Sequence, residues 1–292
     1  MARPPRHRPA AVACAAHALP CRRQRAVGAT RMTRSTVALF GYGRFGQAFA
    51  TLLRQAGHAV RVVDPVASVP AELAAASPEQ ALAAAHWVVL AMPLRRMRAA
   101  LLELRPLLHA QHRVIDVGSV KLQPQAWMDE LLGPAIAHIG SHPLFGPLSL
   151  ARGERPLRVV LCASAQHPQL PAAARALFEE IGCEVIERDA AAHDEAMAQT
   201  HALAFYIAKA LVEMGIGDDL SMAPPSFLGL SNMLAAVRGD AGHLFAAIQQ
   251  ENPYAAAARE RFIATLGTIH ERLQRESDAG ALAIPSPGQA GA

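Results

Sequence analysis

The glycine-rich segment at residues 41–46, Gly-Tyr-Gly-Arg-Phe-Gly, is the strongest constraint on how this chain folds. An apolar run at residues 36–40 precedes it, and a helix-like run at residues 47–55 follows it. A strand, a glycine-rich turn and a helix in this order are typical of a loop that holds a dinucleotide pyrophosphate at a helix N-terminus. We therefore predict dinucleotide binding by the six residues of the turn: Gly41, Tyr42, Gly43, Arg44, Phe45 and Gly46.

A second apolar run, residues 58–63, ends in Asp64, which lies 18 residues beyond Gly46. A carboxylate at this position can accept hydrogen bonds from the ribose hydroxyls of an adenosine. Its negative charge would also repel the 2′-phosphate of NADP. The sequence thus predicts NAD as the cofactor in preference to NADP.

Strand-like and helix-like runs alternate up to residue 188. This alternation predicts an α/β fold, a doubly wound, Rossmann-like parallel sheet over residues 35–188. From residue 189 to 278 only helical patterns occur, and residues 191–214 are predicted to form one long helix. A helical unit of this size is hard to stabilise alone, so we predict that it forms a homodimer as well as contributing to a substrate site.

Composition narrows the classes of function. The chain is 52% hydrophobic and 18% charged, and no apolar run approaches the ~18 residues of a membrane span, so no membrane association is predicted. Eight of the 28 Lys and Arg residues, and none of the acidic ones, lie in residues 1–34, which leaves the remainder slightly acidic and argues against nucleic-acid binding. The four cysteines lack metal-site spacing, which predicts no metal site and reduced thiols in the cytoplasm.

Both ends of the chain differ from its middle. Residues 1–34 are rich in Arg, Pro and Ala, and we interpret them as a disordered extension or as a stretch upstream of the true start at Met32. Residues 279–292 are rich in Gly, Pro and Ala and are predicted to be disordered.

Three clusters follow predicted strands, and ligands of open parallel sheets bind at the carboxyl ends of strands. Met92 and Pro93 follow the third strand and could shape a loop against the cofactor, or form an ordinary strand exit. Ser119 and Lys121 belong to the segment Asp-Val-Gly-Ser-Val-Lys after the fourth strand. This segment is either a capped turn or places both side chains beside the nicotinamide.

The third cluster, residues 140–147, reads Gly-Ser-His-Pro-Leu-Phe-Gly-Pro. Pro143 and Pro147 stiffen this loop, and Pro143 biases His142 away from helical geometry. An imidazole on a rigid loop is suited to accept the proton that an alcohol loses during its oxidation. We predict that His142 is this base; the alternative is a structural histidine bonded to the backbone.

The order of these motifs, followed by His193 and Asp194 at the start of the helical region, resembles prephenate and arogenate dehydrogenases over residues 36–273. The resemblance implies oxidative decarboxylation of a cyclohexadienol, in which a hydride passes to the nicotinamide, carbon dioxide leaves and the ring becomes aromatic. It implies that His142 takes the ring hydroxyl proton and that Ser119 bonds the same hydroxyl. A position of Lys121 near a substrate carboxylate is compatible with the resemblance, which gives this residue no firmer role.

His193, Met197 and His201 recur at helical spacing, so the two histidines could line the substrate cleft or could be surface imidazoles beside a helix cap formed by Asp194. The chain departs from the family pattern at two positions: Phe205 stands where prephenate-using members often carry His, and Ala236 where they tend to carry a carboxylate-binding Arg. The remaining candidates for that cation are the following: Arg238, Lys121, Arg152 and Arg155.

Several functions stay open on the sequence. The substrate could be prephenate, arogenate or an amino-substituted prephenate. A dehydrogenase of a 3-hydroxy acid or an imine would need a lysine in the helical region, where Lys209 is the one available. A non-catalytic NAD sensor would need the glycine turn and Asp64 but neither Ser119 nor His142.

Overall fold

A computed structural model describes residues 35–239 and 242–275 of the chain. The predictions for residues 1–34 and 279–292 lie outside the described residues. The strands are β1 Thr36–Phe40, β2 Ala59–Val63, β3 Trp87–Leu90, β4 Arg113–Asp116, β5 Ala137–Pro143, β6 Leu157–Ala163 and β7 Cys183–Glu187. The helices are α1 Arg44–Gln55, α2 Pro78–Leu82, α3 Leu94–Leu104, α4 Leu122–Leu131, α5 Pro147–Ala151, α6 Leu170–Glu180, α7 Ala190–Met197, α8 Leu203–Glu213, α9 Pro225–Gly239, α10 His243–Ala246 and α11 Ala255–Arg275.

The seven strands form one sheet in the order β2-β1-β3-β4-β5-β6-β7. All neighbouring strands are parallel except β5 and β6, which pair antiparallel. The predicted parallel sheet is therefore present with one antiparallel pair. The β5–β6 connection contains only the five-residue helix α5 and turns the chain straight back, whereas a parallel return needs a longer crossover.

The central strands are buried on both faces, as a doubly wound sheet requires. In β1, Val37 and Leu39 pack into the core on one face with Phe49 of α1, while Ala38 and Phe40 pack into the core on the other. The predicted Rossmann-like sheet followed by helices is confirmed. This arrangement brings the carboxyl ends of β1 to β5 to one edge of the sheet, where the predicted site residues lie.

After β7 the described residues are helical. Helices α7 and α8 are joined without a break by a π-helical turn, Ala198–Ala202, so the predicted single long helix is present with one wide turn inside it. A second π-helical turn, Ala247–Glu251, follows α10. Wide turns of this kind are frequent at functional sites. The helical part has its own small core, formed by Phe205, Ala208, Leu234, Val237 and Ile248.

In the described part of the chain, no helix combines the length and the apolar character needed to cross a bilayer.

Candidate active site

The glycine turn lies at the carboxyl ends of β1 and β3, and its backbone is tightly packed. Gly41 has φ +107°, and a Cβ at this position would lie 2.6 Å from the carbonyl carbon of Ala91. A Cβ at Gly46 would overlap the carbonyl oxygen of Gly41. Both positions therefore exclude any residue with a side chain.

Gly43 is different, because no atom lies within 4 Å of where its Cβ would be. It is the N-cap of α1, so open space adjoins the exposed N–H groups at the start of that helix. This is the place where a pyrophosphate can approach the backbone, and the residues present fit the predicted dinucleotide.

The side chains of the turn have structural contacts of their own. Tyr42 is buried in the core, and Phe45 packs on Phe49 and on Phe145, at ring-centroid distances of 5.6 and 6.2 Å. The contact between Phe45 and Phe145 joins the glycine turn to the loop that follows His142. The guanidinium of Arg44 donates a hydrogen bond to the carbonyl of Gly239 in the helical part.

Asp64 lies next to the glycine turn and accepts a backbone N–H of the turn. Its Oδ2 accepts the Tyr42 N–H at 2.6 Å, and its Oδ1 accepts the N–H groups of Val66 and Ala67 at 2.8 and 2.7 Å. Burial alone raises the pKa of this carboxyl, but the three N–H donors outweigh burial and lower it below its ordinary value. Asp64 is thus a fixed anion at the end of β2.

Met92 and Pro93 form the exit from β3 beside the glycine turn. The backbone nitrogen of Met92 is 2.9 Å from the position a Gly41 Cβ would take, and the Met92 side chain packs against the core. Pro93 is exposed and is the N-cap of α3. Their location is compatible with a cofactor contact, and that role stays a prediction.

The segment after β4 contains a fully buried ion pair. Lys121 is 0% exposed, and its Nζ contacts Asp116 Oδ1 and donates a 2.5 Å hydrogen bond to the carbonyl of Ser141. Gly140 on β5 makes room for this side chain, because a Cβ there would lie 3.3 Å from Lys121 Cδ. Burial raises the pKa of the Asp116 carboxyl, although the Lys121 charge opposes the rise. In this structure the Lys121 ammonium is thus held by protein groups, and the substrate contact predicted for this residue stays a prediction.

Ser119 belongs to the same segment but is half-buried. Within residues 35–239 and 242–275 its hydroxyl has no hydrogen-bond partner. The hydroxyl is therefore available to a ligand, in contrast to the ammonium of Lys121.

His142 lies near the end of β5 and is only 4% exposed. Its Nδ1 is 2.9 Å from Nε2 of His193, and Nδ1 of His193 is 2.8 Å from Oδ1 of Asp194. The same carboxylate accepts the backbone N–H groups of Lys121 and Leu122, at 2.8 and 2.9 Å. A residue of the helical part thus caps α4 of the sheet part and forms a buried chain with His142.

These hydrogen bonds bear on the two histidines that were predicted to line the substrate cleft. Both predicted cleft histidines lie beside His142, with ring centroids 5.1 Å (His193) and 5.9 Å (His201) from it. Both ring nitrogens of His193 face protein partners, one of them His142, and the residue is 2% exposed. The substrate contact predicted for His193 stays a prediction. His201 stacks on His142 with its ring 17° from parallel and remains free to face a substrate.

The pKa values of His142 and His201 are both lowered. Burial, followed by the neighbouring His193, His201 and Lys121, lowers the pKa of His142 well below 6.5. Burial and His193 lower the pKa of His201 to about 4. Both imidazoles are therefore neutral at neutral pH, which is the form in which His142 can accept a proton.

The candidate cations for a substrate carboxylate have protein partners. Arg238 pairs with Asp218 at 2.5 Å and also donates to the carbonyls of Gly217 and Ile216. In this structure Arg238 contacts groups of the helical part, and its predicted substrate contact stays a prediction. Arg152 is 3.8 Å from the carboxylate of Glu154, and Arg155 donates to the carbonyl of the same residue. Ala236, two residues before Arg238, packs against the helical core.

Two residues of this region were not singled out from the sequence. Asn252 donates to the carbonyl of Asp194 at 2.7 Å, and Gln249 donates to the carbonyl of Ala202 at 2.6 Å. Gln249 lies in the second π-helical turn and Ala202 in the first, so the two wide turns support each other. Arg259 holds Gln249 in place through its side-chain oxygen, at 2.8 Å. The sequence could have indicated the roles of Asn252 and Gln249 only if it showed that an amide side chain is buried beside the end of a helix.

Among the described residues, no group of three His, Cys, Asp or Glu side chains is arranged to hold a metal ion.

Comparisons with known proteins agree with the resemblance. Residues 49–187 match the family of the prephenate dehydrogenase nucleotide-binding domain. A 4-amino-4-deoxyprephenate dehydrogenase of Streptomyces pristinaespiralis is 31% identical in an alignment of 269 residues that covers 85% of this chain and 88% of that protein.

Two solved structures share the fold. One is a prephenate dehydrogenase from A. aeolicus in complex with hydroxyphenyl propionate and NAD+, with TM-score 0.69, 21% identity, and coverage of 86% of this chain and 94% of that one. The other is an arogenate dehydrogenase from Synechocystis, with TM-score 0.62, 21% identity, and coverage of 85% and 94%. The glycine turn, the strand end that carries His142 and the match to the Streptomyces enzyme lead to one conclusion: this chain belongs to the prephenate and arogenate dehydrogenase family of oxidoreductases.

Proposed function

We propose that this protein catalyses the NAD-dependent oxidative decarboxylation of prephenate or arogenate, with His142 as the base. The observation that carries the proposal is the hydrogen bonding and protonation of His142. Its Nδ1 is occupied by His193, its Nε2 has no hydrogen-bond partner among the described residues, and its lowered pKa keeps it neutral. A neutral imidazole with one free nitrogen is what the removal of a hydroxyl proton requires.

In this reaction Nε2 of His142 accepts the proton of the ring hydroxyl as the adjoining carbon loses its hydride. The bond between the ring and its carboxylate breaks, carbon dioxide leaves, and the electron pair of that bond completes the aromatic ring. His142 then returns the proton to the phenolic oxygen. Ser119 has a free hydroxyl and would orient the substrate oxygen toward His142. A bound NAD supplies the hydride acceptor.

An amino-substituted prephenate is a second candidate substrate. The Streptomyces relative carries this substrate in its name and matches 88% of its own length. In this chain Phe205, 5% exposed, packs edge-on against His201 at 4.8 Å, where a histidine is common in enzymes that use prephenate. An apolar ring at that position removes a hydrogen-bonding group from the cleft and so favours a different ring substituent.

A dehydrogenase of a 3-hydroxy acid or an imine has less support. Such an enzyme would use Lys209, but this side chain is 42% exposed on α8 and pairs with Glu213 at 2.7 Å. It has no contact with His142, Ser119 or the glycine turn. A non-catalytic sensor would not need the buried contact between His142 and His193.

The proposal includes NAD in preference to NADP. Asp64 holds a negative charge because its pKa is lowered, and it lies at the end of β2, next to the glycine turn. A 2′-phosphate placed near it would be repelled.

The free thiols of Cys162 and Cys183 are buried, which supports the cytoplasmic location included in the proposal.

The proposal also includes a homodimer formed through the helical part. Only the start of the 21-residue helix α11 is buried, at Ala255 and Ala258. Beyond it, four large apolar side chains repeat at helical spacing and are 45–56% exposed: Ile263, Leu266, Ile269 and Leu273. An isolated helix of this length is marginal in water, so a second copy covering this stripe would stabilise it.

Sedimentation at micromolar concentration tests the dimer. The wild type should sediment as a dimer and Leu266→Glu as a monomer, whereas Thr268→Glu, on the opposite side of α11, should leave the dimer intact. A monomeric wild type would refute this part of the proposal.

The main experiment compares NADH and NADPH formation with prephenate, arogenate and 4-amino-4-deoxyprephenate, each with NAD and NADP. We expect one of the three to give an aromatic product and carbon dioxide in equal amounts with NADH, and NADP to be the poorer cofactor. The absence of turnover with all three substrates would refute the proposed function.

A further inference from the structure

Which ring donates and which accepts in the hydrogen bond between His142 and His193 follows from the position of the proton on each ring. Oδ1 of Asp194 and Nδ1 of His193 are 2.8 Å apart, so one of the two must carry a proton. An ionised carboxylate only accepts hydrogen bonds, which places that proton on Nδ1 of His193.

Asp194 is held as an acceptor by the backbone around it. Its Oδ1 and Oδ2 accept the N–H groups of Lys121 and Leu122 at the start of α4, and these donors cannot be reversed. The carboxylate of Asp194 thus lies at the N-terminal, positive end of the α4 dipole. Other charged or titratable groups near the base are Lys121, Asp116 and His201, and the first two are occupied by each other.

In the neutral form of His193, with its proton on Nδ1, the second nitrogen, Nε2, carries a lone pair and accepts a hydrogen bond. Its partner at 2.9 Å is Nδ1 of His142, which must therefore carry the proton of that ring. The lone pair of His142 is left on Nε2. We propose that Asp194, acting through His193, is a positioning residue that keeps His142 in the one neutral tautomer able to accept a proton at Nε2.

This inference rests on the proposed function of His142 as the base, but it makes a claim about the free protein that needs no substrate. If Asp194 only capped α4, the tautomer of His142 would not depend on His193. If Asp194 acts through His193 as proposed, removing His193 leaves Nδ1 of His142 without a buried acceptor. The proton then moves to Nε2, where it blocks catalysis.

The experiment uses three variants of the full-length protein. His193→Phe removes both ring nitrogens and retains a planar ring. His193→Gln is the rescue variant, because its amide can donate to Asp194 and accept from His142 at the same time. His138→Phe is the matched control, because His138 is also fully buried on β5 and also bonds a carboxylate, that of Asp129 at 2.8 Å, but has no contact with His142.

Two quantities are measured for each variant: the ring 15N chemical shifts of His142 at neutral pH, assigned with His142→Asn, and the steady-state kcat and KM. The wild type, His193→Gln and His138→Phe should carry the His142 proton on Nδ1. In His193→Phe it should lie on Nε2, and kcat should fall about 10²- to 10⁴-fold with KM changed less than about threefold, as expected when a base is held in the wrong tautomer.

Three results would overturn the inference: a wild-type His142 with its proton on Nε2, an unchanged His142 spectrum in His193→Phe, or equal kcat losses in His193→Phe and His138→Phe. If His193→Phe does not fold, the wild-type spectrum and the kcat of His193→Gln carry the test, and a large loss in His193→Gln counts against the inference. Failure of the proposed function would look different: the wild type would show no turnover, while its 15N spectrum would still place the His142 proton on Nδ1.

Discussion

The site is built from two halves that follow different rules. In the sheet half, the glycine turn, Asp64, Ser119 and His142 all come from loops or strand ends at one edge of a single sheet. In the helical half, the relevant residues lie along one nearly continuous helix, from Ala190 to Glu213, and are brought to the base by contacts between distant parts of the chain. Strand order alone places the first group, whereas long-range packing places the second.

The difference extends to the polar groups of each half. The sheet half buries a lysine and a carboxylate beneath the site, and the helical half leaves its lysine and Arg238 at the surface. The two halves meet at the proposed base, where His193 contacts His142 and Asp194 contacts the start of α4. The functional unit is therefore a contact between the halves rather than a property of either one.

The largest expected effect belongs to the base in the sheet half. His142→Asn should lower kcat by about 10²- to 10⁴-fold, because a positioned proton acceptor contributes about this much. The affinity for NAD, measured by calorimetry, should change less than about threefold, since the glycine turn and Asp64 are untouched. A variant that kept most of its activity would show that His142 is not the base.

The two lysines of the chain give a direct contrast of stability between the halves. Lys121→Met leaves Asp116 as an uncompensated buried charge and should lower the free energy of unfolding by about 3–5 kcal/mol. Lys209→Met removes an exposed pair with Glu213 and should cost less than about 1 kcal/mol. Urea unfolding of both variants measures this, and equal losses would contradict the assignment of Lys121 to the interior.

The pH dependence of the rate reports on the burial of the base. A neutral His142 is required, and burial lowers its pKa well below 6.5. The kcat should therefore stay constant as the pH falls through 6.5 and should decline only at more acidic pH, where His142 gains a proton. A rate that is halved near pH 6.5 would indicate an imidazole with an ordinary pKa.

The smallest expected effect is that of Arg238→Ala. Because Arg238 is bound to Asp218 and to the carbonyls of residues 216 and 217, its loss should change KM less than about threefold. An increase in KM of about a hundredfold or more would restore Arg238 as the group that binds a substrate carboxylate.

The sequence predicts the sheet half well because glycine spacing and strand ends have direct structural meaning. Gly41 and Gly46 are needed where backbone atoms approach closely, and His142 lies near the end of a strand, β5, at the edge of the sheet where ligands bind. The role of Lys121 could not be predicted in this way. Its burial depends on the absence of a side chain at Gly140 on the neighbouring strand, which is a property of the packed sheet.

The helical half was predicted in location more than in role. Helical spacing indicated that His193 and His201 share a face, and both lie beside His142. The spacing could not show that His193 has its two nitrogens occupied, because its partners are 1 and 51 residues away in the chain. The pairing of Arg238 likewise depends on the path of the loop after α8.

The most direct test of the account is a double-variant cycle across the two halves, in which kcat is measured for wild type, His142→Asn, His193→Phe and the double variant. If His193 acts only through His142, its loss has no further effect once His142 is gone, so the double variant should be as slow as His142→Asn alone. A double variant slower by the product of the two single losses would contradict the account, because the two halves would then contribute independently.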